Sequence, residues 1–79
     1  MTARVTLYSR PGCHLCEEAR MVIERVCADL DEEFDEVSID GDPELTRRFG
    51  EEIPVTFVDG RQHDFWRVSE DRLRAALAR

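Results

Sequence analysis

Cys13-His14-Leu15-Cys16 places two thiols three residues apart, between the short β-like run Val5-Thr6-Leu7-Tyr8 and an amphipathic stretch from Glu17 to Leu30. That spacing at a helix start puts the first sulfur over the helix N-terminus and the second one turn behind it. From there the second can attack a mixed disulfide formed on the first. Cys13, as N-cap or first helical residue, meets unpaired backbone amides and the positive end of the helix dipole. Both favour its thiolate, so its pKa is expected to fall. The effect is twofold: more thiolate is present to attack, and Cys13 leaves more readily when Cys16 displaces it. Cys16 faces inward and is expected to keep the higher pKa of a buried thiol, as the resolving partner.

The neighbours of the pair have two readings each. Arg10 is either a cation that holds a thiolate or a substrate carboxylate, or a solvated loop arginine. His14, when protonated, would steady the thiolate; the other reading is an inert exposed histidine. Cys27 falls on the apolar face of the helix with Ile23 and Leu30 and reads as a small hydrophobe. A zinc site would need two ligands beyond the pair, and only Cys27, His14 and His63 are candidates, none in a second knuckle, so no metal is expected. Phe65 and Trp66 read as core or edge packing rather than a binding platform.

The elements that position the pair follow from periodicity. Val5 and Leu7 alternate with Thr6 and Tyr8 in a first strand, which Pro11-Gly12 breaks. Leu15, Ala19, Val22, Ile23, Val26, Cys27 and Leu30 recur at helical steps and predict one buried face. The acidic residues Asp29, Asp31, Glu32, Glu33, Asp35 and Glu36 mark a solvated helix end and the turn after it. Phe34, Val37 and Ile39 form a second strand. Asp42 caps a short helix with Pro43 at its first position, running from Glu44 to Phe49 and ending at Gly50. Ile53 to Val58, the turn Asp59-Gly60 and Arg61 to Trp66 form a hairpin. Ser69 caps a last helix with Glu70 and Asp71 in its first turn and Arg72, Arg74 and Arg79 further along, matching the helix dipole, while Leu73, Ala76 and Leu77 face inward. The order is β-α-β-α-β-β-α, an α/β fold with a parallel first pair and an antiparallel hairpin.

The whole chain bounds its partners. Its 79 residues suit one domain, 1–79, with a small core. A net charge of −7 disfavours nucleic acid and anionic lipid. No apolar run approaches the ~20 residues of a transmembrane span. Met1 to Arg4 show no signal-peptide pattern, so a cytoplasmic location is expected, with thiols reduced. A Cys13–Cys16 bridge closes a ring worth only about 2 kcal/mol by chain entropy, against about 3 kcal/mol for a 15-residue loop. The pair therefore suits switching better than stapling.

With Tyr8-Ser9-Arg10-Pro11-Gly12-Cys13-His14-Leu15-Cys16, then Ile53-Pro54-Val55 and Asp59-Gly60, nearly the whole chain resembles the small bacterial glutaredoxin-like proteins of the thioredoxin superfamily. The resemblance implies a thioredoxin-like fold with a four-stranded mixed sheet flanked by helices. It also implies Cys13 as nucleophile, Cys16 as resolver and Pro54 as a cis-proline facing them, with the Ile53 backbone free to pair with an extended substrate. Two segments depart from the glutaredoxin pattern. His14-Leu15 replaces the Pro-Tyr usual between the cysteines, and Trp66-Arg67-Val68-Ser69-Glu70-Asp71 stands where a Gly-Gly-x-Asp-like segment grips glutathione. Glutathione binding is thus left open.

The function expected is that of a thiol-disulfide oxidoreductase, a monomer without a bound cofactor. Its substrates would be disulfide-containing or glutathionylated proteins, and its electron donor glutathione, a flavoprotein reductase or thioredoxin. The alternative is a non-catalytic thioredoxin-fold adaptor, or a metal or cluster carrier, with the same cysteines as ligands.

Overall fold

A computed structural model describes residues 3–78. Alternation drives the centre of the sheet: in β1 (Val5–Ser9), Val5, Leu7 and Ser9 are buried while Thr6 and Tyr8 point to the other face. β1 pairs in parallel with β2 (Phe34–Ser38) and antiparallel with β3 (Val55–Val58), which in turn pairs with β4 (Arg61–Phe65). The resulting order is β2-β1-β3-β4. Asp59 and Gly60, at φ 52° and 81°, make the two-residue turn between β3 and β4, a geometry glycine tolerates and aspartate enters more easily than most residues.

The long helix α1 (His14–Leu30) and the last helix α3 (Glu70–Leu77) share one face of this sheet. Ala19, Ile23, Val26 and Cys27 of α1 meet Leu73 and Leu77 of α3 over Val5, Leu7 and Val58. The short helix α2 (Pro43–Phe49) serves the opposite face, where Phe49 packs with its ring centroid 4.9 Å from Tyr8 and 5.8 Å from Phe57. Asp42 caps α2 as expected, its Oδ1 accepting from the Glu44 and Leu45 amides at 3.0 and 3.1 Å. Asp42→Ala is expected to cost about 1 kcal/mol, read as a lower urea midpoint at unchanged slope.

Three expectations need correction. Leu30 is 38% exposed rather than buried. A 17-residue helix is about 25 Å long, whereas a five-residue strand spans about 17 Å, so the last turn overhangs the sheet. The acidic segment is not solvated throughout: Glu32 pairs with Arg4 at 2.9 Å and Glu36 with Arg20 at 2.7 Å. Phe65 and Trp66 are 48% and 52% exposed, because β4 is an edge strand and the chain leaves it at Trp66. Arg72 and Arg74 lie on α3 as expected, whereas Arg79 is outside the described residues.

Arginines fasten the ends of the sandwich. Arg4 grips Asp59 with Nε and Nη2 at 2.9 and 3.0 Å, while its Nη1 donates to Glu32 and to the Leu77 carbonyl. Between the helices, Glu70 accepts from Arg25 at 2.8 Å and from Arg74 at 2.8 Å, and Arg74 also reaches Asp29 at 2.7 Å. Arg25 and then Arg74 hold the Glu70 carboxyl down to about 2, against an ordinary value near 4.5. A lowered folded-state pKa means that ionised Glu70 favours the folded chain, fully above about pH 4.5 and less as pH falls toward 2. The thermal midpoint of Glu70→Gln should therefore lie below that of the wild type at neutral pH, with the gap closing between pH 4.5 and 2. A gap independent of pH would remove this ion pair from the account. The pair is exposed, so the effect is modest.

Candidate active site

The site is built at the end of the sheet where β1 finishes and β3 begins. Tyr8 of β1 is in register with Val55 of β3, and Val55 with Phe65 of β4. This row brings the end of β1, the segment before β3 and the end of β4 to one edge. From Ser9 the chain turns through Arg10-Pro11-Gly12, with Gly12 at φ 74°, a left-handed conformation that would strain a residue with a Cβ. Cys13 then takes the N-cap of α1 in an extended conformation, φ −93° and ψ 114°. Its Sγ accepts from the Cys16 amide at 3.2 Å, and its carbonyl accepts the first α-helical bond from Glu17.

Cys13 and Cys16 are joined as a disulfide, with Cα atoms 5.1 Å apart. The two sulfurs differ in access. Cys16 is 1% exposed beneath the first turn, whereas Cys13 is only half-buried. Cys27, about three turns further along the same buried face of α1, is free and buried, and that burial pushes its thiol pKa up.

Behind the pair, the Ser9 hydroxyl donates to Glu36 Oε2 at 2.7 Å, and Arg20 clasps both Glu36 oxygens at 2.7 and 2.8 Å. Arg20 chiefly, and the Ser9 hydroxyl too, hold Glu36 below the usual carboxylate range against its partial burial. This bridge ties the end of β1 to β2 and to the second turn of α1, fixing the loop that carries Cys13. Nothing in the acidic run around Glu36 singled it out.

The remaining candidates are placed as follows. His14 is exposed, its Nδ1 3.5 Å from Glu17 Oε2, so its neighbour is a carboxylate on its own helix. Arg10 is not a solvated loop residue: it is half-buried and its Nη2 donates to the Gly50 carbonyl at the end of α2, 3.1 Å away. The Ile53–Pro54 bond is cis, as the resemblance implied, and Pro54 is fully buried. The Ile53 amide, however, is not free, because it donates to the Phe49 carbonyl at 3.0 Å. Among the described residues, no group of three or more His, Cys, Asp or Glu side chains is gathered to hold a metal ion, and no helix is long and apolar enough to cross a membrane.

The family described as Glutaredoxin-like domain (DUF836) matches residues 4–78. The chain belongs to this glutaredoxin-like family. An uncharacterized protein of Mycobacterium tuberculosis is 37% identical to it, over 96% of this chain and 84% of the relative. The crystal structure of a structural-genomics target protein from X. campestris superposes with a TM-score of 0.79 at 36% identity, covering 94% of this chain and 95% of that one. Thioredoxin 1 from Thermosipho africanus superposes at 0.65 with 9% identity, over 94% of this chain and 89% of its own, which establishes the thioredoxin fold. A glutaredoxin-like thioredoxin fold with Cys13 and Cys16 adjoining at the start of α1 supports a redox role at the level of the family.

Proposed function

We propose that this glutaredoxin-like protein is a thiol-disulfide oxidoreductase that reduces protein or mixed disulfides through Cys13 and Cys16. The observation that carries the reading is the unequal access of two adjoining sulfurs: Cys13 reachable on a helix N-cap, Cys16 buried one turn behind. In the reduced protein the Cys13 thiolate attacks one sulfur of a substrate disulfide, forming a Cys13 mixed disulfide and releasing the other half as a thiolate. The Cys16 thiolate then attacks the Cys13 sulfur, which expels the second half and leaves the Cys13–Cys16 disulfide. Two electrons pass from the protein to the substrate, and an external thiol or dithiol returns them. The Cys16 amide already points at the Cys13 sulfur and would stabilise it as attacking and leaving thiolate alike. A reducing compartment such as the cytoplasm fits this cycle.

The oxidised protein, incubated with glutathione and glutathione reductase and in parallel with thioredoxin and its reductase, tests the cycle through NADPH consumption. Oxidation of NADPH in either system supports the reading and identifies the donor. No consumption in either, with the disulfide intact afterwards, overturns it.

A further inference from the structure

We infer that the exposed aromatic corner of Phe65 and Trp66, with Leu15 from between the cysteines, docks a polypeptide substrate by receiving an apolar side chain next to its disulfide cysteine. The inference rests on the oxidoreductase reading and names the substrate class of that same site. Phe65 ends the register row that also carries Tyr8 and Val55, so the corner stands at the edge of the sheet where the redox pair is held. The two rings meet edge to face with centroids 5.0 Å apart. Together with Leu15, Asp64 and Arg67 they line an open groove of about 490 Å³. These two rings are half in water, whereas Phe49 is buried and Tyr8, Phe34 and Phe57 are partly buried.

The corner is held open by its backbone. Trp66 has φ 61°, a left-handed conformation unfavourable to a bulky side chain. Its amide donates to the Glu52 carbonyl at 3.2 Å and its indole Nε1 to the Glu51 carbonyl at 3.0 Å, in the segment just before the cis Ile53–Pro54 bond. With the indole N–H occupied, the ring face is what remains for a ligand.

Charge selects the occupant. Asp64 lines the groove and is held by Arg72 at 2.7 Å, and Arg67, also in its lining, lies 3.3 Å from Glu18, so the charges at the groove are paired with one another. The chain as a whole carries −7. Glutathione is a small anion with two carboxylates and little apolar surface, so it gains little here. A polypeptide with a leucine or an aromatic residue beside its cysteine and a lysine or arginine beyond it meets both the apolar groove and the net negative charge of the chain.

Trp66 is the sole tryptophan, so its emission reports occupancy without turnover. The Cys13→Ser/Cys16→Ser protein would be titrated with two peptides differing only in Leu or Ser beside a serine that replaces the reactive cysteine, each followed by lysine. A saturable emission shift with the Leu peptide alone is expected. The wild type would then be assayed on the corresponding disulfide-linked peptides, and kcat/KM should favour the Leu form by about tenfold, the scale of a partly buried side chain. That ratio should fall below about twofold in Phe65→Ser and in Trp66→Gly, a pair chosen because glycine keeps the left-handed backbone. Absence of an emission shift, a ratio near one in the wild type, a ratio unchanged in both variants, or faster reduction of oxidised glutathione than of the Leu peptide would each overturn the docking surface while leaving the oxidoreductase reading intact. An emission shift without reduction of either peptide would instead overturn the oxidoreductase reading and keep the surface.

Discussion

Replacing Cys13 with serine is expected to lower disulfide reduction by at least roughly a thousandfold, because a hydroxyl in place of the attacking thiolate leaves no competent nucleophile. Cys16→Ser should behave differently. The more accessible Cys13 still attacks, but the buried resolver is gone, so a Cys13 mixed disulfide accumulates and can be seen by mass on a non-reducing gel or by intact-protein mass spectrometry. The asymmetry between the two variants follows from the unequal exposure of the sulfurs. Were Cys16→Ser as inert toward substrate as Cys13→Ser, with no trapped adduct, the roles assigned to the two sulfurs would have to be abandoned. A glutathionylated substrate allows one further outcome: release of Cys13 by free glutathione, which would let Cys16→Ser turn over slowly.

The largest stability effect is expected at Ile23. This residue is fully buried in the cluster where α1 meets the sheet and α3. Truncating it to alanine removes three heavy atoms from a packed site and leaves a cavity, a loss of about 3 kcal/mol. A chain of 79 residues has a total stability of only about 4–12 kcal/mol by per-residue scaling, so the variant should unfold at a markedly lower urea concentration. Met21, two residues earlier and 63% exposed, provides the control, since Met21→Ala should stay within about 0.5 kcal/mol. Similar losses at both positions would mean that α1 does not bury the face described.

Local patterns made the architecture legible. The alternation in β1, the helical recurrence from Ala19 to Cys27, the caps at Cys13, Asp42 and Ser69, and the Asp59-Gly60 turn each depend on residues within a turn or two of one another, and each is found as expected. The family resemblance anticipated the cis bond before Pro54. Features that join distant segments were not legible. Arg4 gives no sign in the sequence that it will grip Asp59 and Glu32, nor Glu36 that it will join Ser9 to Arg20. The Ile53 backbone was expected to be free, and here the miss is local: the chain makes a further turn beyond α2, so the Ile53 amide donates to the Phe49 carbonyl four residues back. Leu30 shared the periodicity of its helix, and only the relative lengths of helix and strand decide that it overhangs. Trp66 was misread for a related reason. Aromatic residues are usually buried, and its exposure depends on a left-handed backbone held by two carbonyls fourteen and fifteen positions away.

Three cysteines can be joined in three pairwise combinations, and the position of Cys27 removes two of them. Eleven residues separate it from Cys16 on one continuous helix, a rise of about 16 Å, beyond the ~7 Å that a disulfide can span between Cα atoms. Buried, with its thiol pKa pushed up, it also stays out of reach of oxidants and of incoming disulfides. The folded chain is therefore a binary device with respect to its own disulfides, either dithiol or Cys13–Cys16 disulfide, with no isomer into which it can scramble. Every passage between those two states moves one pair of electrons.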